Sequence, residues 1–166
     1  MMAEFIQKHK LFSFYSALMI VVVLIAIFAP WLAPGDAFSS NLSQALQAPS
    51  SQHWFGTDKL GRDVLSRIIY GTQLSLFMGV TIVVIMVSVG TIIGAAAGYF
   101  GGKVEMVLMR ITDIMLSFPG IVLAIAIAGI LGGSIVNTIL ALSVVGWAKY
   151  ARIVRSMTLK VRGEAY

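Results

Sequence analysis

Two stretches without a charged residue, Leu11–Ala29 and Leu74–Ala97, constrain this chain more than any other feature. Wound as a helix at about 1.5 Å per residue, the first run of about nineteen residues crosses a hydrocarbon core of roughly 30 Å. The composition agrees. The chain is 58% hydrophobic and 11% charged, where soluble domains are roughly half apolar and a quarter charged. The expected fold class is therefore all-α, a polytopic transmembrane helix bundle of about four spans.

The division along the chain follows from its breakers and charges. Residues 1–10 read as a cytoplasmic N-terminus and 11–30 as the first transmembrane helix. Lys8, His9 and Lys10 before it also allow a cleaved signal peptide, but the apolar run exceeds the usual signal core of about 7 to 15 residues. Pro30, Pro34 and Gly35 end that helix, with Trp31 at an interfacial position. Residues 31–73 then form an extracytoplasmic loop, polar from Asp36 to about Gln52, with an amphipathic surface helix over Asp58–Tyr70. In that segment Leu60, Val64, Leu65, Ile68 and Ile69 share one face. Thr57 or Asp58 is expected to cap it, Asp63 and Arg67 to pair at i, i+4, and Gly71 to end it.

Residues 74–166 read as a core of three spans and the start of a cytoplasmic coupling loop. The second span, Leu74–Ala97, leads to Gly98 and carries Gly90, Gly94 and Gly98 at four-residue spacing. Such a stripe lets another helix approach closely, although glycine is common in membrane helices in any case. After the turn at Gly101–Lys103 comes a third span, Met106–Leu131. Gly132–Ser134 make a helix hairpin, and a fourth span runs from Ile135 to about Tyr150, with Lys149 and Arg152 reaching out to the interface.

The net charge of +5 gains meaning from its placement. Lys8 and Lys10, Lys103 and Arg110, and Lys149, Arg152, Arg155, Lys160 and Arg162 all fall on one side of a four-span chain. Lys59, Arg62 and Arg67 on the other side are matched by Asp36, Asp58 and Asp63. The positive-inside rule puts both chain ends in the cytoplasm. The basic excess is thus a topological signal, and nucleic acid is excluded as a partner.

Few residues could carry chemistry. Arg110 and Asp113 share a face of the third span, where they either line a pathway as a pair or bridge near the cytoplasmic boundary. Pro119 and Gly120 loosen that span, marking a mobile position or a packing kink. Asn137 is expected to bond between helices, and Trp147 and Tyr150 to sit in the aromatic belt. There is no Cys, and His9 and His53 lie far apart, so no metal site is expected. With no zinc helix, nucleophile elbow or phosphate loop, no catalytic residue is assigned, and any ATP must be bound by another chain.

Two stretches resemble one family. His53 to Arg67 contains the pattern FGTDxxGRDxxSR, formed by Phe55, Gly56, Thr57, Asp58, Gly61, Arg62, Asp63, Ser66 and Arg67, and continues to Tyr70-Gly71 and Leu74-Ser75-Leu76. It is similar to the segment before the core domain in C-type permeases of peptide and nickel ABC importers. Ala97 to Gly102, Met109-Arg110 to Asp113, Phe118-Pro119, and Tyr150-Ala151-Arg152 to Arg155 resemble the same family in the same order.

The resemblance implies the type I importer permease fold and a subunit that moves peptides or nickel, possibly as a chelate, into the cytoplasm. It further implies a homologous second permease, two ATP-binding subunits that hold ATP and Mg, an extracytoplasmic substrate-binding protein, and a lipid surround in the inner membrane. Arg162, Gly163, Glu164, Ala165 and Tyr166 match the approach to the helix that couples to the ATPase. The sequence stops there, before the last two of about six family spans, so the fold is expected to be incomplete. Gly146 to Ser156 looks more like nickel-type than dipeptide-type members. The absence of Cys and His from the spans fits passage of a peptide or a chelated metal without direct metal binding. A membrane scaffold or an inactive truncated permease is the alternative; an intramembrane enzyme lacks any catalytic constellation.

Overall fold

A computed structural model describes residues 10–164. Among them are six α-helices and no strand: α1 (Lys10–Ile27), α2 (Ala29–Leu32), α3 (Val64–Phe100), α4 (Gly102–Ser117), α5 (Gly120–Leu131) and α6 (Ile135–Glu164), with a single 3-10 turn at Leu42–Gln44. The chain forms two compact units, one up to Phe77 and one from Met78 onward. α3 supplies its opening turns to the first and its remainder to the second.

In the first unit, α1 carries its apolar side chains outward on every face, as a helix solvated by lipid does. It yields at Phe28 to the short α2, where Pro30 occupies the first turn and the Phe28 and Trp31 rings lie 5.7 Å apart. Proline fits there because a first-turn N–H has no helical partner to lose.

The expected surface helix over Asp58–Tyr70 is not a separate element. Helical structure begins at Val64 and passes Gly71 without a break. Residues 57–63 instead fold into a tight turn closed by a bridge between Thr57 and Asp63. Gly71 fails as a stop because a lone glycine costs a helix only about 1 kcal/mol, while its neighbours all support the helix. At 37 residues, α3 is about 55 Å long, well beyond a hydrocarbon core of roughly 30 Å. Its amphipathic opening turns are the excess.

The second unit is built on small residues. Gly90, Gly94 and Gly98 are buried against α6. A Cβ on Gly90 would lie 2.5 Å from the Tyr150 Cβ, and one on Gly98 2.6 Å from the Thr158 Cβ. A Cβ on Gly94 would overlap the Ala151 carbonyl oxygen. Ala97 and, on the α6 side, Ala148 and Ala151 are fully buried. The approach repeats lower on α6, where Gly146 receives the Met86 side chain. Lipid is as apolar as leucine, so close backbone approach supplies the attraction between such helices.

The expected third span is broken rather than continuous. α4 and α5 meet at 88°, because Pro119 adopts φ −60° and ψ 110° after an extended Phe118 and starts a new helix. By length and composition α1 and α3 can each cross a membrane, and α4 with α5 makes a third span if the bent pair counts as one. The expected number of about four is therefore approximate. α6 has only about fourteen uncharged residues, roughly 21 Å, before Lys149.

At the α5–α6 hairpin, the Asn137 amide donates to the carbonyls of Leu131 at 2.6 Å and Gly132 at 3.1 Å. The lone amide thus bonds between helices, closing two end-of-helix acceptors that lipid would leave unpaired.

Candidate functional site

Two clusters of polar side chains stand out, one containing the patterned segment from Phe55 to Arg67 and one containing Asp113. The first is the turn that precedes α3. Gly56 and Gly61 have φ of +71° and +73°, a left-handed conformation that glycine adopts freely. Neither has room for a side chain: a Cβ would overlap the Gln47 carbonyl oxygen at Gly56 and the Asn41 carbonyl oxygen at Gly61. Buried Thr57 donates its hydroxyl to the Gln44 carbonyl and accepts the Gln47 amide at 2.8 Å.

Asp58 is the hub of the turn. Its carboxylate accepts the backbone N–H groups of Leu60 at 2.8 Å and Arg62 at 3.0 Å, the Arg62 Nε at 2.9 Å, and the Arg67 guanidinium. Asp63 caps α3 by accepting the Ser66 N–H at 2.7 Å, and its other oxygen meets His53 Nδ1 at 3.0 Å. Ser66 Oγ accepts the Gly35 N–H at 2.9 Å, tying the chain after α2 to this turn.

Two expectations are corrected here. Asp63, not Thr57 or Asp58, is the cap, because the helix starts six residues later than the amphipathic pattern begins. Arg67 pairs with Asp58 and not Asp63, because capping turns the Asp63 carboxylate back into the turn. Phe55 and Trp54 stand exposed beside this framework.

Asp36, Asp58 and Asp63 are held ionised. Bonds from the Ser39 hydroxyl and from the Phe38 and Ser39 amides lower Asp36 to about 2. At Asp58, desolvation pushes upward but is outweighed by its backbone and arginine donors, leaving it well below the usual range. At Asp63, burial likewise pushes up, and the Ser66 and His53 bonds bring the net shift down. These groups bind protons less readily in the fold than in the open chain. Their stabilisation is thus complete above the ordinary carboxyl value of 3.8 and lost as pH falls through the folded values, near 2 for Asp36. Thermal unfolding of the detergent-solubilised chain should show a midpoint steady from pH 7 to about 5 and falling below about pH 4. A midpoint that drops between pH 7 and 5 contradicts this.

The second cluster lies along α4 and α6. Asp113 accepts Arg152 Nη2 at 2.6 Å and not Arg110, which stands exposed three residues away. The reason is direction: Asp113 faces α6, and a long arginine from another helix reaches it more directly than one on the same helix does. Glu105 accepts Arg155 through Nε at 2.7 Å and through the second guanidinium nitrogen. Arg162 Nη1 donates to the Tyr99 carbonyl at 3.2 Å. A cleft of about 420 Å³ lies between Glu105, Met106, Met109, Asp113, Arg152 and Arg155.

Gly163 is exposed near the end of α6, Glu164 is its last helical residue, and Ala165 and Tyr166 lie outside the described residues. Pro119 sits at the break. Glu105 was not singled out by the sequence, since its partner lies fifty residues away and no local pattern joins them. Among the described residues, no three His, Cys, Asp or Glu side chains gather as metal ligands.

Among the described residues, helices without strands, two of them apolar and long enough to cross a membrane, and a broken span define the class as an integral membrane helical protein. Residues 90–166 match the family described as the binding-protein-dependent transport system inner membrane component, and residues 6–49 match the N-terminal transmembrane domain of oligopeptide transport permease C. The chain belongs to this permease family, in its C-type group.

It is 44% identical over 161 residues to the dipeptide transport system permease protein of Alkalihalophilus pseudofirmus, covering 97% of this chain and 53% of the relative. It is 40% identical over 151 residues to a probable D,D-dipeptide transport system permease protein of Escherichia coli, covering 91% and 51%. To the glutathione transport system permease protein of another Escherichia coli strain it is 43% identical over 151 residues, covering 89% and 49%. The chain thus spans about half the length of these curated relatives. These relatives are transport permeases, and the scaffold alternative has no counterpart among them.

Proposed function

We propose that this chain acts as a transmembrane permease subunit of an ABC importer that carries short peptides into the cytoplasm. The observation that carries the reading is the likeness over nearly the whole chain to permeases named for dipeptides and glutathione. The peptide reading is the one these relatives favour over nickel. A homologous permease completes the path, two separate ATP-binding subunits hold ATP and Mg and hydrolyse the nucleotide, and an extracytoplasmic binding protein selects the peptide. The basic end of α6 lies in the cytoplasm, in keeping with the charge bias, where Arg162 to Tyr166 approach the ATPase. The turn before α3 faces outward, and its exposed Trp54 and Phe55 are offered to the binding protein.

Proteoliposomes holding the assembled transporter test this. Addition of ATP and loaded binding protein should drive uptake of a labelled dipeptide, and a thiol at Gly163 should react only with reagents on the cytoplasmic side. Labelling of that thiol from outside intact cells defeats the orientation; no ATP-dependent uptake defeats the function.

A further inference from the structure

Three arginines of the basic end of α6 are used inside the second unit. Arg152 holds Asp113, Arg155 holds Glu105, and Arg162 holds the last turn of α3 at the Tyr99 carbonyl. Such pairs reach far along the chain, 39, 50 and 63 residues apart. A topological signal needs only positive charge on one side, and lysine serves it as well as arginine. These contacts require more than charge. Arg155 grips one carboxylate oxygen through two guanidinium nitrogens, a geometry lysine cannot reproduce.

The rungs also run along both helices. From Glu105 to Asp113 is about 12 Å of α4, whereas Arg155 to Arg152 is about 4.5 Å of α6 in the opposite sense. A slide or rotation of α6 therefore cannot preserve both pairs. Beyond Asp113, α4 ends at the break before Pro119, where α5 departs at 88°.

We infer that Glu105 and Asp113 are positioning residues that lock the register of α4 to the basic end of α6, so that a push on that end is delivered to the break at Phe118–Pro119. The inference rests on the permease reading and names how its two ends are linked. The glycine contacts hold α6 to α3, whereas the ionic rungs are the side-chain bonds that hold it to α4. The Glu105–Arg155 rung is partly shielded, with Glu105 at 23% and Arg155 at 33% exposure, so removing one partner there leaves a partly desolvated charge, whereas the Asp113–Arg152 rung lies open to solvent and is the weaker of the two.

The test uses the assembled transporter in proteoliposomes, scoring assembly, peptide KM, and peptide carried per ATP hydrolysed. Glu105→Arg and Arg155→Glu should each lower the transported-to-hydrolysed ratio about tenfold with the peptide KM unchanged, and the double reversal should recover it to within about twofold. Arg155→Lys keeps the charge and loses the fork, and should fall between, at about a twofold to threefold loss. Asp113→Arg with Arg152→Asp repeats the cycle at the other rung.

A single reversal that fails to assemble while the double assembles and couples supports the lock. A double reversal that recovers neither assembly nor coupling overturns it, as do single reversals that leave the ratio unchanged. Absence of uptake in the parent transporter, scored first, defeats the permease reading itself and with it this inference.

Discussion

Leucine at Gly94 should unfold the packed end of α3 and α6, whereas leucine at Gly79, fifteen residues earlier on the same helix, should leave it intact. At Gly94 a side chain's first atom would overlap the Ala151 carbonyl oxygen and lie 2.9 Å from the Val154 Cβ and 3.0 Å from the Arg155 amide nitrogen. Two of these three obstacles are backbone atoms in mid-helix, which cannot rotate away as a side chain could. At Gly79 nothing lies within 4 Å.

Alanine grades the effect. Forcing one extra methyl into a packed contact costs about 1–3 kcal/mol, against a gain of up to about 1 kcal/mol from alanine's better helix propensity. Gly79→Ala should therefore be neutral or slightly stabilising, and Gly94→Ala, at a net cost of up to about 2 kcal/mol, should lower the melting midpoint in detergent by up to roughly 8 °C. Gly94→Leu should abolish the cooperative transition. Equal midpoints for leucine at both positions would show that α6 does not lie against this face. Gly90 and Gly98 should resemble Gly94, since each faces a Cβ and a carbonyl of α6 at less than 3.3 Å.

That stripe was legible before the structure because its signal is local: three glycines spaced by four define a face whatever they touch. The same holds for α1, whose uncharged run marks it out, although it yields at Phe28 and Pro30 opens the short helix that follows instead of ending the first, and for Asn137, a lone amide beside a hairpin. The partner of the stripe was not legible, because nothing in Gly90–Gly98 names Tyr150, Ala151 or Thr158. The turn before α3 is hidden from the sequence for a related reason. Leu60, Val64, Leu65 and Ile68 keep a helical period, but residues 57–63 find better partners in Asn41, Gln44 and Gln47, which period analysis cannot see. The pattern FGTDxxGRDxxSR is readable as a string, while the roles of its glycines, Thr57, Asp58, Asp63, Ser66 and the two arginines exist only in three dimensions. Asp113 illustrates the limit most plainly. Sequence proximity offered Arg110, and the fold supplied Arg152.

The largest effect in the first unit is expected at Asp63, which is 2% exposed yet charged. Burial of such a group is tolerated only when its oxygens are occupied. Here one accepts the Ser66 N–H and the other faces His53 Nδ1. Asp63→Ala removes the α3 cap, worth about 1 kcal/mol and up to about 2, and strands the buried side of His53, at a further cost of about 1–3 kcal/mol. The sum, about 2–5 kcal/mol, rivals a large part of the stability of a small unit. Asp63→Asn separates the two contributions. Its carbonyl oxygen can still accept the Ser66 N–H, but it carries no charge toward His53 and can present an NH2 group where an acceptor stood. It should lose less than alanine and regain part of the difference in a His53→Gln background, where the facing group is a neutral amide.

Hydrogen exchange at Val64 to Arg67 reads the cap directly. In Asp63→Ala these amides should exchange at least about thirtyfold faster, which corresponds to about 2 kcal/mol, while those of α6 stay unchanged. Faster exchange throughout α3, or none at Val64 to Arg67, would mean that the helix start is held by the glycine turn and the Gly56 carbonyl bond to Val64 and not by the buried carboxylate.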